Sequence, residues 1–339
     1  MSEPTRGFIA EWSPHAKTRD LLANVLAILD LYQAQRPLTL RQIYYRLIAE
    51  YGFPKSDNKL RSFMDAMVNA RRARWTTNDG ELLFDVIRDD TAIRHPAFFY
   101  DDAAHFLRST RYSAEELRLD RMEDQPRRLV LWCEAAGMVP QLRRIADPYG
   151  IGIYCGGGFD GLTDKYMIAK EWAESLQPIT VLHVGDHDPS GVHLFQSLAE
   201  DIAAFADDLR PRSQVARGRV RYGDIEFVRL AITPAQIIEH GLQGLGQPRD
   251  RSTKPGRLWK DDRSFDRFLV RLHGDGATFL ANDERMTWQA EALPPDVLAT
   301  IVSDAITSRL DYDQYDTMLA AEEETRADLI SRLDRISDG

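Results

Sequence analysis

Near the start of the chain, Leu21, Leu22, Val25, Leu26, Leu29 and Leu31 recur at close to helical spacing, which predicts a helix over residues 17–34 ended by Pro37. Thr39 stands where an N-cap is expected, before an apolar-periodic stretch from Leu40 to Tyr51 that Gly52 and Pro54 stop. A third helix is predicted over residues 57–74, with Leu60, Phe63, Met64, Met67 and Val68 on one face. Asn78-Asp79-Gly80 is a hairpin signal between residues 75–77 and 82–87. Three helices and a hairpin describe a winged helix, in which one helix enters a DNA groove.

Further along, the pattern changes period. Short apolar runs at residues 128–133, 151–155, 180–185 and 225–231 alternate with helical stretches reaching about Ala146, Leu176 and Ala204. Such alternation predicts an α/β domain whose parallel sheet is covered on both faces and gathers ligands at the carboxyl ends of its strands. The expected layout is a winged-helix domain over residues 1–100, a linker over 101–126, an α/β domain with its extension over 127–310, and an acidic helical tail over 311–339.

Composition keeps this layout and removes other classes. A chain of 339 residues can bury two cores, and 43% hydrophobic with 28% charged residues is ordinary for a globular protein. Residues 1–14 hold no apolar run of signal-peptide length, and no run of about 18 apolar residues occurs, so a cytoplasmic protein with no membrane partner is expected. The two cysteines, Cys133 and Cys155, frame no disulfide scaffold and complete no structural zinc site. The net charge of −10 is segregated: residues 36–75 carry nine basic against three acidic side chains, and residues 311–339 carry nine acidic against three basic. Lys55, Lys59, Arg61, Arg71, Arg72 and Arg74 are therefore the candidate DNA contacts, although solvated helix faces would look the same.

Two predicted strands end in acids. Glu134 follows the first, and the third runs into Asp186-His187-Asp188-Pro189-Ser190-Gly191. Aspartates at i and i+2 of an extended segment face one side, and a hard cation such as Mg2+ needs only one or two carboxylates besides phosphate oxygens and water. Acids before Pro and Gly also cap turns and helices, so the pattern alone leaves both uses open. Gly156-Gly157-Gly158 at another strand end would let a ligand backbone approach.

In order, residues 129–134, Cys155-Gly156-Gly157-Gly158-Phe159-Asp160 and residues 185–191 resemble the Toprim domain of the topoisomerase VI A subunit and its meiotic double-strand-break relatives. Thr39-Leu40-Arg41-Gln42-Ile43-Tyr44-Tyr45 resembles the tyrosine motif on that family's winged helix, and the likeness spans roughly residues 36–300. The length matches the short stand-alone A-subunit-like members. The resemblance implies that Tyr45 attacks a DNA phosphodiester and becomes joined to the 5′ end, with Arg41 one helical turn earlier holding phosphate. It implies Glu134 as general acid/base and Glu134, Asp186 and Asp188 as ligands of Mg2+, with Mn2+ as an alternative. It also implies double-stranded DNA as partner, a nucleoid location, and a homodimer in which one protomer's tyrosine meets the other's metal site. Any ATPase must be a separate B-type subunit, because the chain has no Gly-x4-Gly-Lys-Ser/Thr loop. The chain departs from the family in having Ala135 and Ala136 after the glutamate and no lysine among the three glycines. A Toprim nuclease using metal-activated water, and a DNA-binding module without catalysis, are the competing expectations. Two further stretches are weaker candidates: Glu291, in a segment resembling the family's acidic stretch, and the basic residues 249–263.

Overall fold

The computed structural model describes residues 8–9, 12–88, 97–155, 162–210, 223–246 and 286–337. Gly156-Gly157-Gly158 and the basic stretch 249–263 lie outside them.

Helix α1 (Ala16–Leu31) turns Leu22, Val25, Ile28 and Leu29 inward, as its spacing requires. After the short strand β1 (Leu38–Thr39), helix α2 (Leu40–Tyr51) starts on a capping box. The Thr39 hydroxyl accepts from the Gln42 amide at 3.1 Å, and the Gln42 side chain accepts from the Thr39 amide at 2.8 Å. Gly52, at φ 62°, ends the helix in the left-handed region. Helix α3 (Asp57–Arg72), capped by Ser56, completes this core with Phe63, Met67 and Ala70.

The expected hairpin forms only in part. Its turn closes, with the Gly80 amide donating to Thr77 O at 3.0 Å, but pairing goes no further than the Thr76–Leu82 bridge. Residues 82–87, expected as a strand, instead form the helical turn α4 (Leu83–Val86) and strand β2 (Ile87–Arg88), which pairs in parallel with β1. The reason is packing: Leu83 and Val86 are both buried, and a spacing of three puts both on one side of a helical turn but on opposite faces of a strand.

The segment expected as a linker contains helix α5 (Ala103–Glu115), capped by Asp102. The sheet follows as β3 (Arg128–Cys133), β4 (Gly152–Cys155), β5 (Ile179–Val184) and β6 (Ile225–Ala231). All four strands are parallel, in the order β4-β3-β5-β6. Helices α6 (Val139–Ala146), α7 (Leu162–Ala173) and α8 (Pro189–Leu209) lie between successive strands. Alternation along β3 and β5 separates two cores. Leu129, Leu131, Cys133, Leu182 and Val184 face α6, whereas Val130, Trp132, Ile179 and Val181 face α7 and α8. Beyond the sheet come α9 (Pro234–Glu239), the antiparallel pair β7 (Leu245–Gly246) and β8 (Met286–Thr287), α10 (Pro295–Thr307) and α11 (Tyr312–Ser337). Helix α10 covers the α6 face with Leu298, Val302 and Ile306.

The acidic end packs on the body. Glu322 is 2% exposed and accepts from Arg121 at 2.6 Å, Arg326 at 2.6 Å and the Leu119 amide at 3.0 Å. None of the described helices is long and apolar enough to cross a membrane.

Because the Thr39 cap starts the helix that carries Tyr45, Thr39→Ala is expected to lower unfolding free energy by about 1 kcal/mol, while Thr39→Ser retains most of it. Urea denaturation followed by circular dichroism checks this.

Candidate functional site at the carboxyl end of the sheet

The strand ends place the acids. Glu134 leaves β3 with its amide donating to Val184 O at 3.1 Å, so it stays beside β5. Its Oε2 accepts from the Asp186 amide at 2.9 Å, and its Oε1 lies 3.3 Å from Nε2 of His183. This fit depends on two glycines. A Cβ at Gly185 would lie 2.5 Å from Glu134 Cδ, and one at Gly191 would lie 2.5 Å from Asp186 O and 3.3 Å from Glu134 Oε2.

Asp186 points the other way along the same segment, and its Oδ1 accepts from the Ala290 amide at 2.8 Å. His187 and Trp288 exchange main-chain hydrogen bonds at 2.7 and 3.1 Å, which pins residues 288–291 against the strand end. Glu291 is thereby carried in to 5% exposure, and its Oε2 has no hydrogen-bond partner among the described residues. Asp188 caps α8, its Oδ1 accepting from the Gly191 amide at 2.6 Å. The capping role that its sequence context allowed is therefore real.

Electrostatics tie the cluster together. Burial, then the charge of Glu291, with Asp188 and Glu134 adding, pushes Asp186 up from 3.8 to about 8 against the pull of the Ala290 amide. Burial also raises Glu291, Arg41 opposing and Glu134 reinforcing. Beneath the acids sits Arg229 on β6, which donates to the carbonyls of Gly185 at 3.0 Å, Ile232 at 3.2 Å and Asp186. Burial lowers its pKa while Glu134, Asp186 and Asp188 hold it up. His183 is 1% exposed, and burial lowers its pKa further than Glu134 raises it, so it faces Glu134 as a neutral imidazole. Arg229 and His183 were not singled out from the sequence. Their signal was a polar residue interrupting an apolar strand.

Tyr45 lies in the same neighbourhood and in the same chain. Helix α2 docks on the α/β domain through Gln42 to Gln141 at 2.8 Å, Arg46 to Ala292 O at 2.6 Å, and the Tyr45 hydroxyl to Gln289 Oε1 at 3.0 Å. Tyr45 is 3% exposed, and its pKa is raised by burial, Glu291 and Asp186, with Arg41 opposing. A cavity of about 40 Å³ beside the ring has room for water and not for a nucleotide. Arg41 is exposed at the head of α2. Within one chain, then, the Tyr45 hydroxyl is held by Gln289, and Glu291 and Asp186 act on it electrostatically.

The candidate DNA-contacting residues divide. Lys59, Arg61 and Arg74 are exposed, Arg74 lying 4.3 Å over the Phe8 ring. Lys55 donates to Gln243 O at 3.3 Å, and Arg72 is half-buried. Arg71 is buried, with its Nε donating to Met67 O at 3.3 Å and its guanidinium 5.5 Å from the ring centre of Phe84.

Among the described residues, no three His, Cys, Asp or Glu side chains converge as they stand into a metal-holding group. The donors nevertheless fit Mg2+ in the manner it prefers, one or two carboxylates completed by water and phosphate oxygens, and the unpartnered Glu291 oxygen adds an acceptor beside them. No protein-family model matches the chain, and no curated protein does.

Two outcomes follow. Asp186 has a folded pKa above its unfolded value, so its stabilising contribution is complete below about pH 4 and is lost as pH rises through about 8. Metal-free protein should lose on the order of 2 kcal/mol between about pH 6 and about pH 8, and Asp186→Asn should flatten that slope, as urea titrations at several pH values will report. Gly185→Ala should destabilise by about 1–3 kcal/mol through overpacking against Glu134, readable as a lowered melting temperature.

Proposed function

We propose that this protein breaks DNA phosphodiester bonds with a divalent cation, Mg2+ or alternatively Mn2+, held by Glu134, Asp186 and Asp188, and that the α/β domain is of the Toprim type. On this reading the N-terminal helices are a winged-helix-like DNA-binding domain, as in topoisomerase VI A subunits. One observation carries the proposal: Glu134, Asp186 and Glu291 meet Tyr45 and Arg41 at the carboxyl end of a parallel sheet, where ligands of such sheets bind. Buried acids that raise one another's pKa suit a hard cation, which when bound supplies charge stabilisation to the phosphoryl group.

The chain's own residues supply the rest. Arg41, exposed one turn before Tyr45, offers a bidentate contact to phosphate. Lys59, Arg61 and Arg74 hold the duplex by its backbone. Tyr45 attacks phosphorus: its Oη–P bond forms, the P–O3′ bond breaks, the phenolic proton passes to Glu134, and the 3′ oxygen takes up a proton. For this, the Tyr45 hydroxyl must first leave Gln289. Passage of one duplex through another would require an ATPase on a separate chain.

A second reading has its own support. The Tyr45 hydroxyl is donated to Gln289, buried, and harder to ionise than a free phenol. These features favour a nuclease in which water attacks and Tyr45 only anchors α2.

Incubation with supercoiled DNA and Mg2+ followed by denaturation separates the readings. Covalent tyrosyl transfer predicts protein-linked 5′ ends that vanish in Tyr45→Phe, and cleavage that falls by about 100-fold or more in Asp186→Asn. Nicking without adducts that survives Tyr45→Phe establishes the nuclease. Binding with no cleavage in either Mg2+ or Mn2+ sinks both and leaves a DNA-binding module.

A further inference from the structure

Cys133 and Cys155, the only cysteines of the chain, stand apart in sequence yet side by side in the sheet. Both are thiols, Cys133 fully buried and Cys155 half-buried. They are the last residues of β3 and β4, and in the parallel register of these strands Cys133 is the direct partner of Cys155. Neighbouring strands lie roughly 4.8 Å apart, within the range of about 4.4–6.8 Å that a disulfide needs between its Cα atoms.

The face each thiol takes follows from the alternation of β4. Tyr154 stacks on Trp132 at 5.6 Å and packs with the α7 and α8 core, whereas Ile153 packs with the α6 core. Side chains two apart on a strand share a face, so Cys155 lies with Ile153 on the α6 side, where Cys133 already sits. In keeping with that proximity, a charge on Cys155 raises the pKa of Cys133. The two thiols are not equal. Cys133 is sealed in the core, donates to Ala135 O at 3.3 Å, and is pushed well above the ordinary thiol range by burial. Cys155 ends β4, the edge strand of the sheet, and is partly open to solvent. A small oxidant therefore meets Cys155 first.

We infer that Cys133 and Cys155 are a redox modification site, a pair of thiols that peroxide converts to an intrachain disulfide and that a thiol reductant restores. The Cys155 thiolate attacks one peroxide oxygen: the S–O bond forms, the O–O bond breaks, and the departing hydroxide takes up the thiol's proton to become water. Cys133 then attacks the sulfenic sulfur of Cys155: the S–S bond forms, the S–O bond breaks, and a second water leaves with the Cys133 proton. Two thiols are oxidised and one peroxide is reduced. The bond ties the end of β4 to the residue before Glu134 and withdraws the proton donated to Ala135 O, so oxidation acts at the strand end that carries the first acid. The inference does not depend on DNA cleavage.

Peptide mass spectrometry tests it on the full chain, reduced, treated with a few equivalents of hydrogen peroxide, then denatured and alkylated with N-ethylmaleimide. The expected product is one pair of peptides joined through Cys133 and Cys155, lighter by two hydrogens, alkylated at neither cysteine and separated again by dithiothreitol. Cys133→Ala is expected to leave Cys155 as a sulfenic acid that dimedone traps, and Cys155→Ala to leave Cys133 a thiol whose oxidation is slower by about tenfold or more, with thermal melts confirming that both variants fold. Oxidation of wild-type Cys155 to the sulfinic acid while Cys133 stays alkylatable overturns the inference. So does a disulfide between two chains, or a chain in which both thiols survive the peroxide. These three outcomes are read on the unsubstituted chain and do not depend on how the variants fold.

Discussion

The arrangement around the sheet end depends on keeping several carboxylates in one half-buried recess. Charges a few ångströms apart there repel by several kcal/mol even at an effective dielectric constant near 20. The fold answers this with fixed dipoles and one cation. The amides of Asp186, Ala290 and Gly191 point at carboxylate oxygens, and Arg229 spans the carbonyls of Gly185, Asp186 and Ile232 beneath them. Asp186 is nonetheless pushed up to about 8, by burial first and by the charges of Glu291, Asp188 and Glu134 after it. On the proposed reading, a divalent cation at the recess would relieve this like-charge repulsion.

The same recess explains why α2 is docked where it is. Gln289, Ala290, Glu291 and Ala292 follow one another, and each engages a different part of the site: Tyr45, Asp186, the acid cluster and Arg46. The His187–Trp288 bridge holds this run in place. A single short segment, whose residues Ala290–Ala292 form a 3-10 turn, therefore links the helix that carries the tyrosine to the strand that carries the acids. Displacing Tyr45 from Gln289 disturbs the neighbour of the amide that restrains Asp186, so tyrosine and acids respond together.

Most of the layout was legible in the sequence because it is local. The Thr39 cap with Gln42 three residues on, the αL glycine at 52, and the alternation of β3 and β5 depend on neighbours within a turn or a strand. The misreadings arise where distant packing decides. Leu83 and Val86 took a helical turn because both face the N-terminal core. Composition does not show that Arg71 is buried, 5.5 Å from the ring centre of Phe84. Glu134, Asp186 and Asp188 could be found because each stands at a strand end. Arg229 and His183 left only the signal of a polar residue in an apolar strand, and Gln289 left none, because their contacts depend on which strand or segment lies beside them.

The sign of the local charge also constrains how any polyanion could approach. Arg229 donates through Nε and Nη2 to main-chain carbonyls under the acids, which compensates the recess from that side, while its Nη1 is buried without a hydrogen-bond partner among the described residues. Arg41 is different: it is exposed at the head of α2 while still close enough to lower the pKa values of both Tyr45 and Glu291. A phosphodiester drawn to Arg41 would add charge to acids that already repel one another, unless some were protonated or a divalent cation lay between. At neutral pH the first route is partly open, since Asp186 titrates near 8, but a protonated acid is also a lost ligand. On the proposed reading, a phosphodiester and a divalent cation would therefore bind with positive coupling, each making the other's charge tolerable.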